Sequence, residues 1–155
     1  MYKMKTKRLQ LEHLEKKMKP LKKAEGIVTP QVGWIKTIRT ALGMSLAQLS
    51  KKLGRNRSSI ARMEERETSG SITIKTMEDV GRAMGMKFIY GYVPIDGSID
   101  KLIEKEARNL ATEIVMRTSG SMKLEDQENS PERIRKAIEE RTREIMEEIP
   151  KKLWD

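Results

Sequence analysis

Residues 45–64 read S-L-A-Q-L-S-K-K-L-G-R-N-R-S-S-I-A-R-M-E, and the spacing of their side chains decides the fold. Ser45 followed three residues later by Gln48 is a capping box: the hydroxyl accepts from the first amides of a helix and the amide side chain reaches back. The helix it opens runs to Leu53 and stops at Gly54. Asn56 caps a second helix that turns Ile60, Ala61 and Met63 inward. Three or four residues containing a glycine join the two helices. Small Ser50 sits where they must approach closely, and Leu49, Leu53, Ile60 and Met63 fill the wedge between them. That is the physics of a helix-turn-helix, here at about residues 45–66.

The flanking elements follow from the same kinds of signal. Upstream, Thr29-Pro30 predicts a helix start, with an N-cap followed by proline at the first helical position. Val32, Ile35, Ile38 and Leu42 then form one apolar face, and Gly43 ends that helix. Downstream, Thr73 caps a fourth helix that buries Met77, Val80 and Met84 and ends at Gly85, with Gly81 as a close-packing site. Residues 3–24 read as a basic helix with Leu9, Leu11, Leu14, Met18 and Leu21 near helical spacing; Pro20 interrupts it near its end. In Met86–Val93 the side chains of Phe88, Tyr90 and Tyr92 alternate with Lys87, Ile89 and Gly91, the pattern of a strand. A lone strand needs a ladder partner, and the same strand of a second subunit is the cheapest one, so Phe88, Tyr90 and Tyr92 are the expected homodimer contact. Ser98–Arg117 is a further helix, broken at Thr118-Ser119-Gly120. Ser130-Pro131 caps a last one to about Glu148, with Ile134, Ile138, Ile145 and Ile149 inside. The fold class expected is therefore all-α with one short strand. Its parts are a basic N-terminal helix or arm (1–26), a helix-turn-helix domain (27–86), the strand (87–94) and a C-terminal helical region for a partner (95–155).

Charge is unevenly placed along the 155 residues, which sum to +9. Residues 1–26 hold nine Lys/Arg against three Glu, residues 27–93 eleven against five, and residues 94–155 twelve against fifteen. A cationic front and a slightly anionic tail point to two surfaces with two partners, the first a polyanion. With no cysteine there is neither a disulfide framework nor a thiolate metal site, in agreement with a reducing compartment. No run approaches the roughly 18 apolar residues of a membrane span, and no apolar stretch follows the basic N-terminus as in a secretory signal. The expected location is cytoplasmic, without membrane contact. His13 is the only histidine and reads as an exposed helix residue. Neither a metal-ligand cluster nor a phosphate-cradling glycine loop nor a nucleophile elbow is present, so the reading is a non-enzyme without cofactor or metal.

Over residues 32–86 the chain resembles the Cro/phage-repressor type of helix-turn-helix protein. The resemblance implies that the helix opened by Ser45 spans the DNA backbone and the one opened by Asn56 lies in the major groove, projecting Arg57, Ser58 and Arg62. The chemistry agrees. Each guanidinium can grip guanine O6 and N7 with two parallel bonds, and a serine can serve either base. Ser45, Asn56 and Ser59 suit phosphate contacts, with Lys51, Lys52 and Arg55 adding positive field. Glu64 is expected to pair with a neighbouring cation.

A longer resemblance covers most of the chain. The basic helix, the helix-turn-helix, K-F-I-Y-G-Y-V-P at 87–94 and R-T-S-G-S-M-K-L-E-D-Q at 117–127 together resemble the mobile mystery protein A family. Its members are encoded beside a Fic-domain protein, which implies a toxin–antitoxin-like gene pair. Fic proteins transfer AMP from ATP, and a helix bearing [Ser/Thr]-x-x-x-Glu-[Gly/Asn] inhibits them. Ser121 and Glu125 supply that spacing, one helical turn apart; Asp126 stands where the pattern has Gly or Asn. The bland reading of the same residues is that Ser121 caps a short acidic helix. Three functions are thus in play: an operon autorepressor that doubles as antitoxin to a Fic partner, an inhibitor of a Fic enzyme with incidental DNA binding, and a stand-alone repressor.

Overall fold

The capping signals around Ser45, Asn56, Thr73 and Ser130 are all realised in the chain's computed structural model, which describes the backbone of residues 2–124 and 130–155 and the side chains of residues 5–121 and 130–155. The described residues form α1 (Tyr2–Lys22), α2 (Trp34–Ala41), α3 (Leu46–Leu53), α4 (Arg57–Thr68), α5 (Ile74–Ala83), α6 (Ile99–Leu124), α7 (Pro131–Glu148) and a closing 3-10 turn, Lys151–Trp154. They divide into two units, residues 26–91 and residues 1–25 with 92–155.

In the first unit, Ile35, Leu49, Ile60, Met63, Val80 and Met84 form the core, one or two from each of α2 to α5 and the residue after α5. Both bonds of the capping box are made: the Gln48 amide donates to Ser45 Oγ at 3.1 Å, and the Ser45 amide donates to Gln48 Oε1 at 2.8 Å. Gly54 ends α3 in the left-handed region, at φ 62°. Gly81 packs as expected, since a Cβ there would stand 3.2 Å from the carbonyl oxygen of Met86. Glu64 is paired: Arg39 Nε and Nη2 donate to its two oxygens at 2.6 and 3.2 Å, and Arg39 Nη1 donates to the Met44 carbonyl at 3.0 Å. Both side chains of the pair are about nine-tenths buried.

The start of α2 differs from expectation. Thr29-Pro30 does not open it. Pro30 to Gly33 form a turn closed by the Gly33 amide on the Pro30 carbonyl, and the helix begins at Trp34. Its cap comes from α4: the Glu67 carboxylate accepts from the amides of Trp34 at 2.6 Å and Ile35 at 2.9 Å. A charged acceptor that binds two free amides and faces the positive end of the helix dipole outcompetes a neutral threonine. Gly33 makes room for it, because a Cβ there would lie 2.8 Å from Glu67 Oε2. Val32 and Leu42, expected on the apolar face, are exposed.

The expected strand is also absent. Residues 86–94 are irregular, and among the described residues there is no β-ladder. A strand needs a neighbouring edge to pair with, and among the described residues no other strand offers one. Phe88 and Tyr90 still share a side, their rings stacked at 5.7 Å between centroids.

In the second unit α6 and α7 pack together around Ile99, Ile103, Ala107, Ala111 and Ile145, joined by Leu153 of the closing turn. Leu11 and Met18 of α1 pack on the same core. Helix α6 was expected to break at Thr118-Ser119-Gly120 but runs through to Leu124. Thr118 Oγ1 donates to the Ile114 carbonyl and Ser121 Oγ to the Arg117 carbonyl, while Ser119 is buried. Hydroxyls returned to the preceding turn no longer compete with the helix. Packing then exceeds the penalty of about 1 kcal/mol for a helical glycine. Ser121 therefore lies inside α6 and caps nothing.

Helix α1 continues past Pro20 to Lys22 and grips the start of α6. Glu15 Oε2 accepts from the Ile99 amide at 3.0 Å, and Lys22 Nζ donates to Glu15 Oε1 at 2.9 Å and to the Gly97 carbonyl at 2.6 Å. The Ile99 amide first, then Lys22, holds the Glu15 carboxyl below its usual range.

Two stability measurements follow. Arg39→Met alone strands a buried carboxylate and should lower the stability of residues 26–91 by about 3 kcal/mol, whereas Arg39→Met with Glu64→Leu should recover most of it. Urea unfolding followed at Trp34 in a Trp154→Phe background reads both; equal losses in the single and double variants would place the stabilisation elsewhere. For Glu15 the folded pKa lies below the unfolded one, so its contribution is complete above the ordinary value of about 4.3 and disappears as pH falls through the folded value. The unfolding midpoints of wild type and Glu15→Gln should therefore differ at pH 6 and converge on acidification below that ordinary value.

Candidate nucleic-acid interface

Helix α4 presents two opposite chemistries. Its inner side carries Ile60, Met63 and Glu64, all buried. At its N-terminus, Asn56 Oδ1 accepts from the Ser59 amide at 2.8 Å and from Ser58 Oγ at 2.9 Å, fixing the first turn. Arg57, Ser58 and Arg62 are exposed, Ser58 and Arg62 one turn apart on one face. Arg55, Ser59 and Arg62 come together around a shallow cavity of about 160 Å3 over Met63, and Arg66 completes its lining. The sequence reading missed Arg66, although its place four residues after Arg62 is a legible signal. Ser45, Lys51 and Lys52 are exposed on α3.

The electrostatics of this face come from where the acids go. Residues 27–93 contain five carboxylates, Glu64, Glu65, Glu67, Glu78 and Asp79. Glu64 is taken by Arg39, Glu67 by the start of α2 and Asp79 by Arg82. Among the described residues, none of Lys51, Lys52, Arg55, Arg57, Arg62 and Arg66 is in an ion pair. Exposed, unneutralised guanidinium groups around a helix N-terminus can take phosphate or base-edge acceptors with paired, charge-assisted bonds.

Residues 35–90 match the helix-turn-helix family. The match supports DNA binding and transcription regulation of the Cro/C1 type for this unit. It covers α2 to α5 and the first part of the irregular segment that follows, and none of α1, α6 or α7. No curated protein and no solved structure matches the chain.

The other residues singled out in the sequence lie apart from the helix-turn-helix arginines in the chain. Phe88 is half-buried, and Tyr90 and Tyr92 are exposed. Ser121 is exposed near the end of α6, and Glu125 lies outside the described residues. Among the described residues no group of three or more His, Asp or Glu could hold a metal ion, and no helix is long and apolar enough to cross a membrane.

Proposed function

We propose that the chain is a sequence-specific regulator of transcription that binds double-stranded DNA with α4 in the major groove. Arg57, Ser58 and Arg62 contact base edges. Ser45, Asn56, Ser59, Lys51, Lys52 and Arg55 contact phosphates, joined by Arg66. The observation that carries this is the set of exposed arginines without an ion pair around the start of α4, in a unit where Glu64, Glu67 and Asp79 are held by structural partners. Arg57→Ala and Arg62→Ala should each weaken specific binding by about 1–3 kcal/mol and relax preference at one base pair. Lys51→Ala should weaken all sequences alike and reduce the slope of log K against log salt by about one. A gel-shift titration in which both arginine variants keep wild-type affinity and base preference would remove α4 from the groove.

The regulator acts as a homodimer through residues 87–93. Ile89, Tyr90 and Tyr92 expose 69%, 58% and 84% of their surface on a segment without a ladder of its own, free to pair with its own copy. Two symmetric half-sites ~34–36 Å apart follow. Tyr90→Pro removes a ladder donor and breaks no ladder within the chain, so the variant should fold as a monomer and bind DNA weakly. Light scattering that finds it dimeric at micromolar concentration would move the interface elsewhere.

The proposed target is the protein's own operon, with a Fic-domain partner as neighbour. This reading rests on the longer family resemblance and on the Ser121–Glu125 spacing. A partner that co-purifies with the native chain and gains AMP-transfer activity on Glu125→Gly supports it; a partner silent with Glu125→Gly and active with Asp126→Gly refutes that pairing.

A further inference from the structure

A groove in the unit built from residues 1–25 and 92–155 meets the roles above only at Tyr92 and Val93, the end of the proposed dimer segment. It measures about 510 Å3, and Leu14 and Met18 of α1, Leu102 of α6 and Trp154 of the closing turn wall it. That is within the ~300–1,000 Å3 typical of small-ligand sites, which are mostly apolar with a few polar groups. Leu14 and Trp154 on its walls expose 42% and 57% of their surface, an open apolar lining of the kind that marks a binding surface.

Its charge is of one sign. The charged side chains that line it are Lys7 and Lys151, with no carboxylate. Its wall also includes Ile149, at φ 43°, the one non-glycine with positive φ among the described residues. Ile149 is the left-handed cap that ends α7, a conformation common at helix ends but costly for a β-branched residue, so surrounding contacts hold it. Lys7 Nζ donates to the Ile149 carbonyl at 2.8 Å, and Leu153 is buried just beyond.

We propose that this groove binds the free anion of a medium-chain carboxylic acid, its alkyl chain along Leu14, Met18 and Leu102 and its carboxylate at Lys151 and Lys7. The apolar walls suit the chain, and the two ammonium groups without a competing acid select an anionic head. A concave site with two cations suits a single amphiphile better than a bilayer surface, which recruits polybasic clusters.

The test uses the full chain with Trp34→Phe, leaving Trp154 as its reporter, titrated with sodium decanoate below micelle formation. A saturable fluorescence change at one site per chain is expected. Each methylene added from octanoate to dodecanoate should tighten binding about fourfold, and decyltrimethylammonium should bind about tenfold more weakly than decanoate. Lys151→Glu, at an exposed position, should weaken decanoate roughly threefold. Leu102→Phe, which fills the groove, should abolish saturation with the fold intact by circular dichroism. A non-saturating signal, affinity independent of chain length, or equal affinity for the cationic amphiphile overturns the proposal. So does pelleting with phosphatidylglycerol vesicles in the absence of decanoate binding.

Discussion

Arg39 holds three acceptor oxygens of two groups at once, and the geometry of the helix-turn-helix unit depends on it. Its guanidinium spans both oxygens of Glu64 and the Met44 carbonyl, tying α2 to the middle of α4 and to the loop that leads into α3. The planar five-donor fork of arginine suits this; a lysine offers one point charge and no bidentate match. Three residues beyond Glu64, Glu67 reaches the first amides of α2. Two carboxylates of one helix thus clamp both ends of another. With Ile60 and Met63 in the core between them, α4 has little freedom to roll about its axis. A buried ion pair is weak evidence for net stability, because desolvation offsets much of the attraction. Its contribution here is registry: it fixes which face of α4 looks outward.

That face gains its charge partly by subtraction. The unit is only moderately basic in composition, yet Glu64 and Glu67 are directed into structural contacts while Arg55, Arg62 and Arg66 gather at the surface. The helices α6 and α7 do the opposite. Arg108, Arg117 and Arg141 pair with Glu104, Glu113 and Glu144 three or four residues away on their own helices. Such pairs leave a surface that is charged but locally neutral, with little field to attract a polyanion. Similar arginines therefore serve different ends in the two units, and the position of the nearest acid decides which.

What the sequence reveals depends on the range of the interaction involved. The starts of α3, α4, α5 and α7 are legible because each is set by a side chain bonding to an amide three residues on. The start of α2 is not legible, since its cap lies more than thirty residues downstream on another helix, and the nearer Thr29-Pro30 signal is misleading. The passage of α6 through Thr118-Ser119-Gly120 is hidden for a related reason: propensity argues for a break, and contact with α7 overrides it. The alternation in 86–93 suggests a strand, but alternation alone cannot supply a ladder partner, and no strand forms. In the candidate interface, Arg57, Ser58 and Arg62 follow from position on a helix, and Arg66 was within reach of the same rule. That Glu64 takes a cation is legible; that Arg39 is the cation is tertiary information.

Helix α1 shows why the net charge of a segment is a poor measure of its footprint. Its composition allows either a cationic arm or a packing helix, and two of its lysines are committed to helix ends. Lys7 meets the Ile149 carbonyl at the C-terminal end of α7, where a cation opposes the negative end of the dipole. Lys22 holds the Gly97 carbonyl just before α6 and keeps Glu15 aimed at the Ile99 amide, where an anion faces the positive end. The two ends thus receive charges of opposite sign from a single helix, with Leu11 and Met18 between them on the core. A disordered basic tail would have to be ordered before it could make any of these contacts, at about 1–2 kcal/mol of backbone entropy per residue. As a helix packed on the core, α1 meets that cost in folding. Its remaining lysines then add to the surface field from fixed positions, so any phosphate contact they make is set by the packing of α1 and not by the reach of a flexible arm.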